Sequence, residues 1–131
     1  MIFFWAVCLH MVGDYITQTS WMANQKVVRW FPAWVHGLVY TLPFLLLTHN
    51  IWALLIIGVT HAVIDHYRLA KHFIWFRTRF FEPRPHLTWA EASANFGFSA
   101  STPAWLAGWL MFLTDNIIHN MINFTALYLF H

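Results

Sequence analysis

The 131-residue chain is 60 % hydrophobic and only 9 % charged, with a formal net charge of +2. A soluble domain carries roughly 25 % charged residues, so this composition excludes a water-covered globule, and so small a charge excess gives no hold on nucleic acid. Thirteen Phe and nine Trp suit lipid and its interface, and the sequence predicts one domain over 1–131, an all-α polytopic integral membrane protein.

A bilayer crossing needs about 20 mostly apolar residues, and four stretches meet that length. The first, about 2–20, carries His10, Asp14 and Gln18 at four-residue steps, which stack on one helical face. It has no positively charged leader and no A-x-A-like cleavage site, so it reads as a retained span rather than a signal peptide. Cys8, the lone cysteine, reads as a small buried hydrophobe.

The second span, about 32–48, opens with Pro32 in its first turn, carries His36 and is expected to kink at Pro43. Only "THN" (48–50) separates it from the third, about 51–70, so the two form a tight antiparallel pair. The third carries His61 and Asp65. Residues 72–100 mix Phe73, Trp75, Phe76, Phe80 and Phe81 with Arg77 and Arg79, the pattern of a short helix lying in the interface, either as a tether or as a lid. The fourth span, about 103–130, starts at Pro103 after a Ser101 or Thr102 cap and carries Asp115, Asn116, His119, Asn120 and Asn123. Each span holds one glycine (Gly13, Gly37, Gly58, Gly108), expected as points of close helix packing. The four spans form a transmembrane bundle with the interfacial segment before the last.

All seven Lys and Arg fall in the first connection (Lys26, Arg29) or around the end of the third span (Arg68, Lys71, Arg77, Arg79, Arg84). The positive-inside rule then places the connections 19–31 and 71–102 in the cytoplasm and both termini outside a bacterial inner membrane.

Every Asp of the chain (Asp14, Asp65, Asp115) lies inside a predicted span. Three of the spans carry a His/Asp pair at i, i+4, namely His10/Asp14, His61/Asp65 and Asp115/His119, and His36 joins from the second. Counted from the cytoplasmic ends at 1.5 Å per residue, all seven fall in one slab roughly 6–16 Å deep. Three Asp in a bilayer cost on the order of 8–10 kcal/mol, and interhelical hydrogen bonds return only about 0.6 kcal/mol each. A divalent cation held by His and carboxylate releases on the order of 10 kcal/mol or more. The expected ligands are therefore His10, Asp14, His36, His61, Asp65, Asp115 and His119, around one or two ions, with zinc the best match to the donors. Gln18, Asn116 and Asn120 fit as outer hydrogen-bonding partners, whereas His49, His72, His86 and His131 read as solvent-facing and His66 as interfacial. The rival readings of the same residues are structural polar packing without metal, a proton or ion pathway, and bis-histidine haem ligation.

"HMVGDYITQTSWMANQK" (10–26), "HGLVY" (36–40) and "THAVIDHYRLAKH" (60–72) resemble an uncharacterised family of small polytopic membrane proteins of bacteria and their phages. That family opens with H-x-x-x-D-x-x-x-Q, a W-M-A-like element and a Lys. A His in the second span, H-x-x-x-D in the third and a D-Q-x-x-H-like element in the last complete its pattern. Here Asn116 stands where Gln is common in that last element. The resemblance covers most of the chain except 73–100 and implies a fold and a site rather than an activity. More loosely, the chain is similar to membrane-bound metal-dependent hydrolases with intramembrane His and Asp, by analogy alone.

The leading functional expectation is a metal-dependent hydrolase of a lipid-linked substrate, with a metal-bound water and Asp14, Asp65 or Asp115 as base. No Ser-His-Asp or Cys-His arrangement offers a covalent nucleophile. The alternatives are a cation or proton transporter or channel, and a non-catalytic phage-encoded envelope or superinfection-exclusion protein. An open coordination position would favour the first, a continuous wet path the second, and neither the third.

Overall fold

In the computed structural model residues 1–81 and 87–130 are described, and among them all regular structure is helical, with no strand. The chain is all-α. In order come α1 (Ile2–Met11), running into a π-helical turn (Val12–Ile16), α2 (Ser20–Gln25), and α3 (Trp30–Thr41), running into a 3₁₀ turn (Leu42–Leu46). α4 (Ile51–Tyr67), α5 (Leu69–Phe81), α6 (Trp89–Ala94) and α7 (Ala104–Leu129) follow. The helices divide into two compact units, Met1–Tyr67 with the chain from His119 onward, and Arg68–Ile118.

In the first unit Ala6, Leu9, Tyr40, Phe44, Ile57, Ala126 and Leu127 form the buried core. α3 and α4 lie side by side, and two glycines set how close they come. A Cβ on Gly37 would stand 2.8 Å from the Gly58 carbonyl oxygen, inside any tolerable contact. Pro43 tightens the end of the second predicted span into the 3₁₀ turn, because proline cannot donate an α-helical hydrogen bond. The "THN" connection is held by its own side chains. Thr48 Oγ1 accepts from the Asn50 N–H (3.1 Å), and Asn50 Oδ1 accepts from the Trp52 N–H (3.0 Å), as a helix cap does.

The second unit has a smaller core of Ile74, Phe98 and Ala107. The predicted interfacial stretch 73–81 falls within α5. There Phe73, Phe76, Phe80 and Phe81 stay exposed, Arg79 lies 5.6 Å over Trp75, and Arg77 lies 5.4 Å over Phe98. Thr88 and Glu91 cap α6 reciprocally, each satisfying one of the other's backbone N–H groups. Gly97 has φ +94°, the left-handed region that glycine enters freely. Gly108 meets nothing closer than 3.7 Å at its Cβ position, so the close packing expected of it is absent. His86, Arg84 and His131 lie outside the described residues.

Among the described residues no single helix is long and apolar enough to cross a membrane. The first two predicted spans become the segments Ile2–Ile16 and Trp30–Leu46. The third stops at Tyr67, because Arg68 takes φ +51° and parts α4 from α5. Only those two helices taken together reach the length and hydropathy of a crossing. α7 has the length, but Thr114, Asp115, Asn116, His119, Asn120 and Asn123 dilute its apolar character.

Candidate metal centre

The first predicted span delivers its polar stripe through a change of helical pitch. Thr17 N–H reaches back five residues to Val12 O at 3.0 Å, so the turn carrying Asp14 is wider than the α-helix before it. Such bulges are frequent at functional sites. His10 and Asp14 each reach across to α3. His10 meets the Tyr40 hydroxyl at 2.8 Å, whereas Asp14 Oδ1 lies 3.2 Å from His36 Nε2. Side chains satisfy the carbonyls that the ending helix frees: Thr17 Oγ1 donates to Gly13 O and Gln18 Nε2 to Asp14 O. Gln18 thus serves the backbone of Asp14, not its carboxylate.

α4 carries His61 and Asp65 one turn apart on a single buried face. His36 from α3 completes a cluster in which Asp14, His36, His61 and Asp65 are all buried and offer donor atoms within 4.8 Å of one another. His36 Nε2 lies 2.9 Å from His61 Nε2 and 3.3 Å from Asp65 Oδ2. His61 Nε2 lies 3.2 Å from Asp65 Oδ2 and 3.8 Å from Asp14 Oδ1. A tetrahedral ion with bonds of about 2.0–2.1 Å has ligand–ligand edges of about 3.3 Å. The edges found here bracket that length, so these buried His and Asp side chains could hold a metal ion.

The surroundings orient the donors. Tyr40 lies flat on the His61 ring, with centroids 3.6 Å apart and planes 9° from parallel. Its hydroxyl accepts from Asn123 Nδ2 at 2.7 Å, which leaves its hydrogen for His10 Nδ1. Asp65 Oδ1, turned away from the four-atom cluster, lies 3.3 Å from His119 Nε2 of α7. Neither His36 Nδ1 nor His61 Nδ1 has a hydrogen-bond partner among the described residues. Metal-bound imidazoles commonly have one, so here the orienting contacts fall on the carboxylates and on the face of the His61 ring.

Of the seven predicted ligands, Asp14, His36, His61 and Asp65 meet in one place, and His119 reaches it through the second oxygen of Asp65. His10 is buried but committed to Tyr40. Asp115 is half-buried and belongs to the other unit. The Asn116 amide donates to Phe112 O of its own helix, and Asn120 follows His119 on α7.

One participant escaped the reading of spans. Lys26 Nζ lies 2.6 Å from Asp65 Oδ2 and 3.6 Å from Asp14 Oδ1, an ammonium between two buried carboxylates. Its sequence signals were the Lys that closes the family-like motif 10–26 and the absence of any acidic partner in its own loop. His66 also does more than mark an interface. Its Nδ1 donates to the Lys26 carbonyl at 2.8 Å, and its ring stacks on Trp30 at 3.9 Å. An apolar groove of about 320 Å³ lies along α3 and α4, lined by Trp34, Leu38, Leu45 and Val59 among others. No cluster residue lines it.

A family model described as "Protein of unknown function (DUF3307)" matches residues 2–130. No curated protein and no solved structure matches the chain.

Proposed function

Because the chain belongs to the DUF3307 family, whose description carries no activity, we propose a function from its own chemistry: a membrane-embedded metalloprotein. Asp14, His36, His61 and Asp65 bind one divalent ion, with zinc the best fit to two imidazoles and two carboxylates in a tetrahedron. The observation that carries this is the set of five distances linking His36 and His61 to each other and to the two carboxylates, 2.9–3.8 Å among buried atoms. Protein purified in detergent and analysed for metals is expected to hold close to one zinc per chain after dialysis. No metal above background would leave the cluster as polar packing alone.

The membrane half rests on surface chemistry. Phe4, Ile16, Phe31, Leu46, Trp105 and Tyr128 are each at least 66 % exposed, and water would not tolerate such a surface. Helical segments of 15–17 residues reach only about 22–26 Å at 1.5 Å per residue. Local thinning of a bilayer accommodates that shortfall. Four spans with both termini outside and 19–31 and 71–102 cytoplasmic fit the distribution of Lys and Arg. In a Cys8→Ser background, an impermeant thiol reagent added to intact cells should label a cysteine appended after His131 and spare Arg77→Cys. The reverse pattern would invert the orientation.

A second reading, hydrolysis of a lipid-linked substrate, is favoured by the position of Asp65. Four protein donors close a tetrahedral site, whereas a hydrolytic site keeps one position for water. Asp65 is the donor able to leave, since Lys26 and His119 stand beside its two oxygens. Freed, it is also placed to act as the general base. A cation or proton pathway would need a wet route through the bundle, and no feature of the described residues favours one.

A further inference from the structure

Lys26 is held at both ends by neighbours in sequence. Asp65 takes its ammonium at 2.6 Å and His66 takes its carbonyl at 2.8 Å. Two adjacent residues at the end of α4 therefore clasp one lysine. Its side chain is only 14 % exposed, and its ammonium bonds Asp65 Oδ2, which lies 3.2–3.3 Å from the two imidazole nitrogens. The same oxygen cannot give its lone pairs fully to an ion and to an ammonium.

Resting on the metal-centre reading, we infer that Lys26 is the specificity-determining residue of that centre, a tethered ammonium that an incoming ion must displace from Asp65. The electrostatics set the selectivity. Asp14 and Asp65 bring two negative charges, and Lys26 already balances one of them with a direct hydrogen bond. A monovalent ion arriving from water would exchange one positive charge for another and lose its own hydration. A divalent ion balances both carboxylates and gains two imidazole donors that an ammonium does not use. The site thus refuses sodium, potassium and similar ions without any change in its size, and it stays neutralised in part when no divalent ion is present.

The test compares wild type with Lys26→Met in detergent micelles, reading zinc affinity by competition with a chromophoric chelator. Lys26→Met should bind zinc at least tenfold more tightly. Without zinc its melting temperature should fall below that of wild type, and zinc should restore it, while chelation should move wild type little. Sodium chloride, set against choline chloride at equal ionic strength, should weaken zinc binding in Lys26→Met severalfold and leave wild type unchanged. If Lys26→Met folds only with zinc, that dependence is itself the expected result. His66→Ala keeps the ammonium but loosens its backbone, and it should raise zinc affinity by a smaller factor, about twofold or more. Equal or weaker zinc binding by Lys26→Met, with wild type binding normally, would overturn the inference and leave the metal centre standing. If neither protein binds zinc, the metal centre fails and the inference fails with it.

Discussion

Replacing Asp65 with Asn is expected to reduce bound zinc from about one per chain to background and to destabilise the fold by about 3–5 kcal/mol, the usual cost of stripping one partner from a buried ion pair. Both losses follow from the several contacts this carboxylate makes at once. Oδ2 lies 2.6 Å from Lys26 and 3.2–3.3 Å from the imidazole nitrogens of His61 and His36, while Oδ1 lies 3.3 Å from His119. Asparagine preserves the shape but removes the charge. Its amide also puts N–H donors opposite an ammonium or an imidazole. The ammonium would be left with Asp14 at 3.6 Å, too long for a good hydrogen bond. Metal analysis and thermal unfolding of the same preparation decide the matter. An Asp65→Asn protein that kept stoichiometric zinc would remove this residue from the donor set.

Tyr40→Ala should cost about 3–5 kcal/mol, as for other large aromatic truncations in a core, and should weaken zinc binding at least tenfold although Tyr40 is not itself a ligand. The ring is fully buried, stacks on His61 and belongs to the main core with Phe44 and Ile57. Removing it deprives His61 of the surface that fixes its plane. Tyr40→Phe separates the two roles. It keeps the stack and deletes the hydroxyl that accepts from Asn123, so it should lose only about 1–3 kcal/mol and retain zinc. Loss of zinc in Tyr40→Phe would mean that the hydroxyl, rather than the ring, positions the centre.

The residues that the sequence brought forward were those whose chemistry conflicts with an apolar setting. Asp14, His36, His61 and Asp65 stood out because nothing in their helices could solvate them, and they meet in one buried cluster. Spacing was a weaker guide. His61 and Asp65 share a face because α4 is a regular helix between them, whereas between His10 and Asp14 the helix passes into a π turn after Met11, and no rule of four-residue steps foresees a change of pitch. Depth-counting assumed helices as long as a bilayer is thick. Pro43 and Arg68 end them sooner, one through a missing donor and the other through a left-handed backbone that sequence does not announce. Lys26 was assigned to a loop on the strength of its charge. Charge also carries it into the cluster, because two carboxylates without a counter-ion attract the nearest flexible ammonium.

For the metal proposed above, the close approach of α3 and α4 at Gly37 and Gly58 bears on which ions the cluster would accept. The glycine pair sits beside the proposed donors, one residue from His36 and three from His61, and neither position has room for a methyl group: a Cβ would stand 2.8 Å from the Gly58 carbonyl oxygen at Gly37 and 2.5 Å from Thr41 Oγ1 at Gly58. That close approach of α3 and α4 accompanies the 2.9 Å gap between the two imidazole nitrogens. Calcium, with oxygen ligands at about 2.3–2.6 Å and six to eight of them, would need those helices spread and more donors gathered. The bite would suit a small ion with four short bonds better, and the close helix approach beside it depends on the absence of two methyl groups.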